Sequence, residues 1–496
     1  MKVSGSSAAL QVLTGSFFGK FINLVALALV TPHLGPSGFG QLVVVGIIVG
    51  IFNIVIDIGF ENYYIYRTKI TGPERTSAED IETIEHIVFT LRFYSNLILF
   101  TAQIVASFAL TGILFDSPVD TYLRILSLNY LFAIPGRINE IRFKKRMQFK
   151  VVAQSKVLGD LIGATAKVIL VFSGLGLVGW AIGIVAGGAV NTLYLARRGG
   201  YKPKLINIPV RWRKEVFWFA RHSWFSGVGI YLNNQVGNIL LKAYMPLTNI
   251  GYLQFGYSYT VEIQSGILAS QLHVMLPYYS NFQHDRPRVS KAINQLIELS
   301  LLVMGGPAII GAVYAEELVI FLFGEVWRSA IPIVQIYCCY VVLRILVSPC
   351  LSILSALGKM KETTFITYSN LILGALASLF VLVFTKSIIW YAVAFAATGL
   401  ATEYVKALLG LKLLKIAPTS LFLDVKMNLI SLAILSCAAM TLQYFYQPEG
   451  IMGLAFSFGL LLAILFGIQF YLNRKVFVYL FEKLKISTSF LSVKNK

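Results

Sequence analysis

LGPSGFGQL at residues 34–42 and MPLTNIGYL at residues 245–253 stand 211 residues apart, each between two long apolar runs. Gly40 falls on Gly251, Leu42 on Leu253, Ser37 on Thr248 and Phe39 on Ile250. Farther along, Lys145-Arg146-Met147 matches Gly358-Lys359-Met360 at an offset of 213. An offset held over such a length predicts one unit used twice, a common build for membrane transporters. A site is then expected between the halves.

Composition agrees with that reading. The chain has 496 residues, 57% hydrophobic and 13% charged, with a mean hydropathy of +0.73. Ordinary soluble domains are about half apolar and a quarter charged, so a membrane protein is predicted. Apolar stretches of roughly bilayer-spanning length recur about fourteen times. They lie near 9–31, 38–60, 87–113, 120–136, 151–173, 177–196, 216–241, 249–275, 294–322, 329–356, 364–385, 388–411, 427–446 and 451–472. They do not alternate and are too long for barrel strands, so the expected fold is all-α.

The net charge of +19 is placed on alternate connections. Arg137, Arg142, Lys144, Lys145, Arg146 and Lys150 precede the fifth span; Arg197, Arg198, Lys202, Lys204, Arg211, Arg213 and Lys214 precede the seventh. Segments 32–37, 114–119 and 447–450 contain no Lys or Arg. The positive-inside rule then puts both termini in the cytoplasm and requires an even number of spans. Such basic loops set topology and touch anionic lipid heads, and no nucleic acid partner is expected. Cys338, Cys339, Cys350 and Cys437 fall inside spans with no metal-ligand spacing, so neither metal, disulfide nor cofactor is expected. Ala26-Leu27-Ala28 imitates a signal-peptidase site, but Lys20 and Asn23 interrupt the apolar region, so the first helix reads as retained.

The chain divides into a six-helix lobe over 1–200, a second over 213–412, a helix pair over 425–473 and a basic cytoplasmic tail over 474–496. Each lobe starts and ends on the cytoplasmic side, which makes the repeats parallel. The longest hydrophilic segment, 67–86, reads as a short surface helix capped by Ser77. Its acids Glu74, Glu79, Asp80, Glu82 and Glu85 read as a solvated face.

Polar residues inside spans are costly and mark functional candidates. Lys20 shares a helix face with Ser16 and Asn23; Ser223, Gly227, Tyr231, Asn234 and Asn238 form a stripe on the seventh span. Asn23 and Asn234 are themselves 211 residues apart. The eighth span offers Gln254, Ser258, Glu262 and Ser265 beside Tyr257 and Tyr259, and the second offers Asn53 and Asp57. Against this stands packing: amides and hydroxyls also join helices to one another. Lys156 and Asp160, four apart, are spaced to neutralise each other, as are Glu403 and Lys406. Lys20 and Arg344 have no partner within their own helices, which favours an anionic ligand group; Asp57 and Glu262 point the other way.

This plan resembles the MOP (multidrug/oligosaccharidyl-lipid/polysaccharide) exporter superfamily and, within it, the Wzx-type polysaccharide transporters. The resemblance rests on Leu34-Gly35-Pro36-Ser37-Gly38-Phe39-Gly40, on Asp57-Ile58-Gly59, on Pro277-Tyr278-Tyr279-Ser280 and on the Arg142 to Lys150 segment. It covers about 1–475 and implies a MATE-like, polytopic all-α fold. It also implies movement of undecaprenyl-pyrophosphate-linked oligosaccharide across a bacterial inner membrane for O-antigen, capsule or exopolysaccharide, without a cofactor. A glycan polymerase and a chain-length regulator are implied partners. Such a cargo assigns Lys20 and Arg344 to phosphate, and Asn23, Asn234, Asn238, Gln254, Tyr257 and Ser258 to the cavity. Asp57, Glu262 or Glu403 would couple transport to a cation gradient. Rival readings are a multidrug exporter or a lipid II flippase of the same superfamily, and a membrane glycosyltransferase or polymerase. Where related chains carry a short apolar run after the D-x-G, this one has Glu61-Asn62-Tyr63-Tyr64.

Overall fold

The computed structural model describes residues 5–56, 60–68, 77–110, 119–146, 148–200, 204–262, 284–446 and 450–472, with scattered positions between 263 and 283. All regular structure among them is helical. Eight helical stretches are long and apolar enough to cross a membrane. Ile98, Phe108, Phe365 and Phe384 are exposed on helix flanks, an arrangement that hydrocarbon accommodates and water does not. The chain is a multi-pass membrane protein. Contacts divide it into two compact units, Met1–Gly251 and Tyr252–Lys496.

In the first unit, α1 (Gly5–Ile56) is two helices joined at Gly35, which sits at φ 65, ψ 174. That conformation suits glycine, and the following Pro36 keeps residue 35 out of the helical region. The break falls inside the opening motif, between the first two predicted spans. α2 (Phe60–Arg67) carries the unusual Glu61-Asn62-Tyr63-Tyr64. Both tyrosines are buried with Ile84, Ile87, Ile141 and Trp212. The Tyr64 hydroxyl donates to Glu85 at 2.8 Å, and Arg142 Nε meets the same carboxylate oxygen at 3.1 Å. Glu85 is therefore not part of a solvated face: it is 4% exposed and compensates Arg142 beneath the basic segment. Ser77 does cap a helix, accepting from Asp80 N at 3.1 Å, but that helix is the long α3 (Ala78–Leu110) rather than a short surface element.

α4 (Val119–Lys145), α5 (Phe149–Leu170) and α6 (Gly176–Gly199) pack closely. A side chain at Gly159 or Gly163 would strike the backbone of α6, and one at Gly187 the backbone of α5. Small residues at such crossings let membrane helices approach. Arg124 pairs with Asp120 one turn away and lies 4.6 Å from the Phe108 ring.

α7 (Val210–Tyr244) opens the second sequence repeat, yet contacts place it in the first unit. Tyr231 donates to the Ile47 carbonyl at 2.6 Å, and Arg67 pairs with Glu215 at 3.0 Å. The linker before it is docked as well: Lys204 N donates to His86 Nδ1 and Ile206 N to Thr90 Oγ1, each at 3.1 Å. The two copies of the opening motif meet here. Gly40 abuts the Leu247 carbonyl, while Gly251 abuts the Pro36 carbonyl. Leu247 falls on Pro36 at the same 211-residue offset, so each copy offers its glycine to the other's backbone.

The second unit takes over within α8 (Leu247–Tyr257), which continues as a π turn, Ser258–Glu262. α9 (Arg286–Ser300) begins at Asp285, whose side chain accepts from Arg288 N. It also runs into a π turn, Leu301–Gly305, before α10 (Gly306–Val313) and α11 (Ala315–Phe323). α12 (Ile331–Ile345), α13 (Met360–Phe384) and α14 (Ile388–Leu414) follow. The last pair, α15 (Pro418–Phe445) and α16 (Gly450–Leu472), packs on the second π turn, where Gly305 and Gly306 face Leu432, Leu435 and Leu465. Trp327 anchors the unit's core, stacked 4.5 Å from Phe255.

Candidate functional site

The first unit contains a polar cavity of about 380 Å³ between α1, α4, α5 and α6, lined by Asn23, Arg137, Glu140, Lys156, Asp160, Lys167 and Asn191 among others. Its deepest contact joins two distant positions: Lys167 Nζ donates to Asn23 Oδ1 at 3.0 Å and lies 4.8 Å from the Trp180 ring. Lys167 is 9% exposed, and such burial of an ammonium requires partners. Asp160 attracts the same ammonium. Two glycines seat these charges. The Asp160 carboxylate lies against Gly19 of α1, and the Lys167 stem lies against Gly183 of α6, so a methyl group at either glycine would displace the charged side chain. At the basic end of α4, Glu140 is held by Arg137 at 2.9 Å and Lys144 at 2.5 Å. Burial raises its carboxyl pKa, yet those two cations prevail and hold it below the usual carboxylate range.

The second unit holds a different arrangement. Arg344 on α12 and Glu403 on α14 form a bidentate pair: Nε lies 2.9 Å from each carboxylate oxygen, and Nη2 lies 2.8 Å from Oε1. Both side chains are under one-fifth exposed. Lys406, expected to pair with Glu403, donates instead to Thr367 Oγ1 at 3.1 Å. Arg344, without a partner on its own helix, thus finds one 59 residues away on another helix. Glu403 is likewise committed to it.

The other expected residues scatter. Asn23 lines the cavity. Gln254 of α8 donates to Ser258 Oγ at 3.0 Å in the π turn that follows, and Asn238 donates to Gln235 at 3.0 Å within α7. Tyr257 packs edge-on to Tyr337 and Phe395, at 6.1 and 6.2 Å. Asp57 and the tail 474–496 lie outside the described residues, as do the side chains of Lys20, Asn234 and Glu262. Sequence reasoning missed Lys167 and Asn191 as site residues. A signal existed: Gly159/Gly163 and Gly183/Gly187 carry small-xxx-small spacing beside Lys156, Asp160 and Lys167.

A model of the family described as "Polysaccharide biosynthesis protein" matches residues 31–332, more than half of the chain. The chain belongs to the polysaccharide biosynthesis protein family. The teichuronic acid biosynthesis protein TuaB of Bacillus subtilis is 22% identical over 346 residues, 69% of each chain. The lipopolysaccharide biosynthesis protein WzxC of Escherichia coli is 23% identical over 350 residues, 68% of this chain and 67% of that one. Among solved structures, the lipid II flippase MurJ in an inward closed conformation superposes with a TM-score of 0.67. At 13% identity it covers 95% of this chain and 99% of its own, which shows a shared fold.

Proposed function

We propose that this protein moves undecaprenyl-pyrophosphate-linked oligosaccharide across the bacterial inner membrane, exposing its polar interior first to one side and then to the other. The observation that carries the reading is the charged cavity, enclosed by helices whose remaining surfaces suit lipid. A diphosphate and a string of sugar hydroxyls cannot cross hydrocarbon with their hydrogen bonds unmet. The cavity offers ammonium donors beside amide and carboxylate acceptors, so polar groups exchange water for protein. The chemistry is transport: binding and release at one site, with no bond made or broken. Both termini are placed in the cytoplasm by the basic connections, the two sequence repeats serve as the moving lobes, and the glycan is handed to a polymerase with its chain-length regulator.

Deleting the gene in its host is expected to abolish the surface glycan and to leave lipid-linked precursor on the cytoplasmic leaflet. Reintroducing the Lys167→Gln variant at normal protein level is expected to restore about a tenth or less of wild-type surface glycan, the scale of one buried charge-assisted contact. Unchanged surface glycan in the deletion strain, or rescue of a strain starved of lipid II flipping, would overturn the reading.

A further inference from the structure

The signs of the charges in the first unit's cavity specify more than a generic anion. Glu140 is occupied by Arg137 and Lys144. Farther in, the described charged side chains are Lys156, Lys167 and Asp160, two positive charges against one negative. Beside the ammonium groups stand acceptors. Asn191 Oδ1 is buried with no hydrogen-bond partner among the described residues, and the Asp160 carboxylate lines the same cavity. A site for a bare diphosphate should present donors, because phosphate oxygens accept hydrogen bonds and have none to give to acceptors in the wall. A wall with both donors and acceptors, net positive by one among its described groups, fits a ligand that carries many hydroxyls and one carboxylate. Each hydroxyl can donate to Asn191 or Asp160 and accept from an ammonium, and the carboxylate neutralises the excess.

We infer that this cavity binds an acidic sugar of the transported glycan, a hexuronate, through Lys156 and Lys167 to its carboxylate and through Asp160 and Asn191 to its hydroxyls. The cavity volume of about 380 Å³ lies within the range of small-molecule sites. The glycine seats at Gly19 and Gly183 hold the deep Asp160 and Lys167 in place before ligand arrives, which limits the ordering needed on binding. Asn23 fixes Lys167 from the first helix, so the same amide that steers the ammonium also closes the pocket's inner wall.

The inference rests on the proposed transport of a lipid-linked glycan, and its test is a binding measurement that needs no transport. The full chain in nanodiscs would be titrated with methyl glucuronide, methyl glucoside and inorganic pyrophosphate by saturation-transfer NMR. The expected result is glucuronide bound about tenfold more tightly than glucoside, with the advantage lost in Lys167→Gln. Lys156→Gln supplies an independent arm, since that side chain is exposed and its loss disturbs no packing. Glucoside bound as well as glucuronide, or no binding of either, overturns the inference. Pyrophosphate bound more tightly than glucuronide, with the same lysine dependence, also overturns it and assigns the pocket to the lipid's diphosphate. If surface glycan persists after gene deletion while glucuronide binds as expected, the transport reading fails and the site remains.

Discussion

Gly251→Ala and Gly40→Ala are each expected to lower the thermal stability of the detergent-solubilised protein substantially. Neither glycine has room for a methyl group: the added carbon at 251 would enter the Pro36 carbonyl, and that at 40 the Leu247 carbonyl. Both obstacles are backbone, so no rotamer change relieves the clash. Overpacking of this kind costs about 1–3 kcal/mol and sometimes more. Since both substitutions push apart the same pair of segments, the double variant should lose less than the sum of the singles. Gly46→Ala is the control. Nothing lies within 4 Å of a side chain built there, and an alanine inside a helix is favoured over glycine. A scan by fluorescence-detected gel filtration would read all four variants. Equal melting of Gly46→Ala and Gly251→Ala would remove the claim that the motif copies interlock.

The second large effect concerns Arg344 and Glu403. Removing either partner leaves a charge largely buried without compensation, a loss of about 3–5 kcal/mol. Arg344→Met and Glu403→Leu should each accumulate poorly and melt early. Combined, they replace an ion pair by apolar contact, and the double variant should recover most of the lost stability. Its surface-glycan level decides what the pair does. Restored transport shows that the guanidinium serves the packing of α12 on α14. A stable double variant that cannot transport would return Arg344 to the cargo site.

The all-helical, multi-pass architecture was legible because hydrocarbon thickness imposes a length on apolar runs that nothing else in a soluble chain imitates. The break at Gly35-Pro36 was legible for a local reason, the backbone demands of two adjacent residues. Partners across helices were not. Helical spacing tells which residues share a face, and it says nothing of what another helix brings to that face. Thus Arg344 reads as unpaired until α14 supplies Glu403, and Glu85 reads as solvated until Tyr64 and Arg142 enclose it. Lys167 and Asn23, 144 residues apart, could be joined only by a structure. Spacing also misleads where the helix itself changes pitch. Gln254 and Ser258, placed on a lining stripe, bond each other at the edge of a π turn.

Those π turns match a small irregularity in the duplication. The offset between the repeats is 211 at Gly40 and Gly251, and 213 by Lys145 and Gly358. The second copy is therefore two residues longer between these landmarks. A π turn takes one residue more than the α turn it replaces, and it is how a helix absorbs an insertion without breaking. Among the described residues the second copy has two within that interval, Ser258–Glu262 and Leu301–Gly305, whereas residues 47–51 and 89–93 of the first copy, which correspond to them, are plain α-helix. The halves thus differ in how many residues their helices hold as well as in side chains. Deleting one residue from Leu301–Gly305 should return that helix to the pitch its counterpart kept and leave the side chains beyond it on the faces they now occupy.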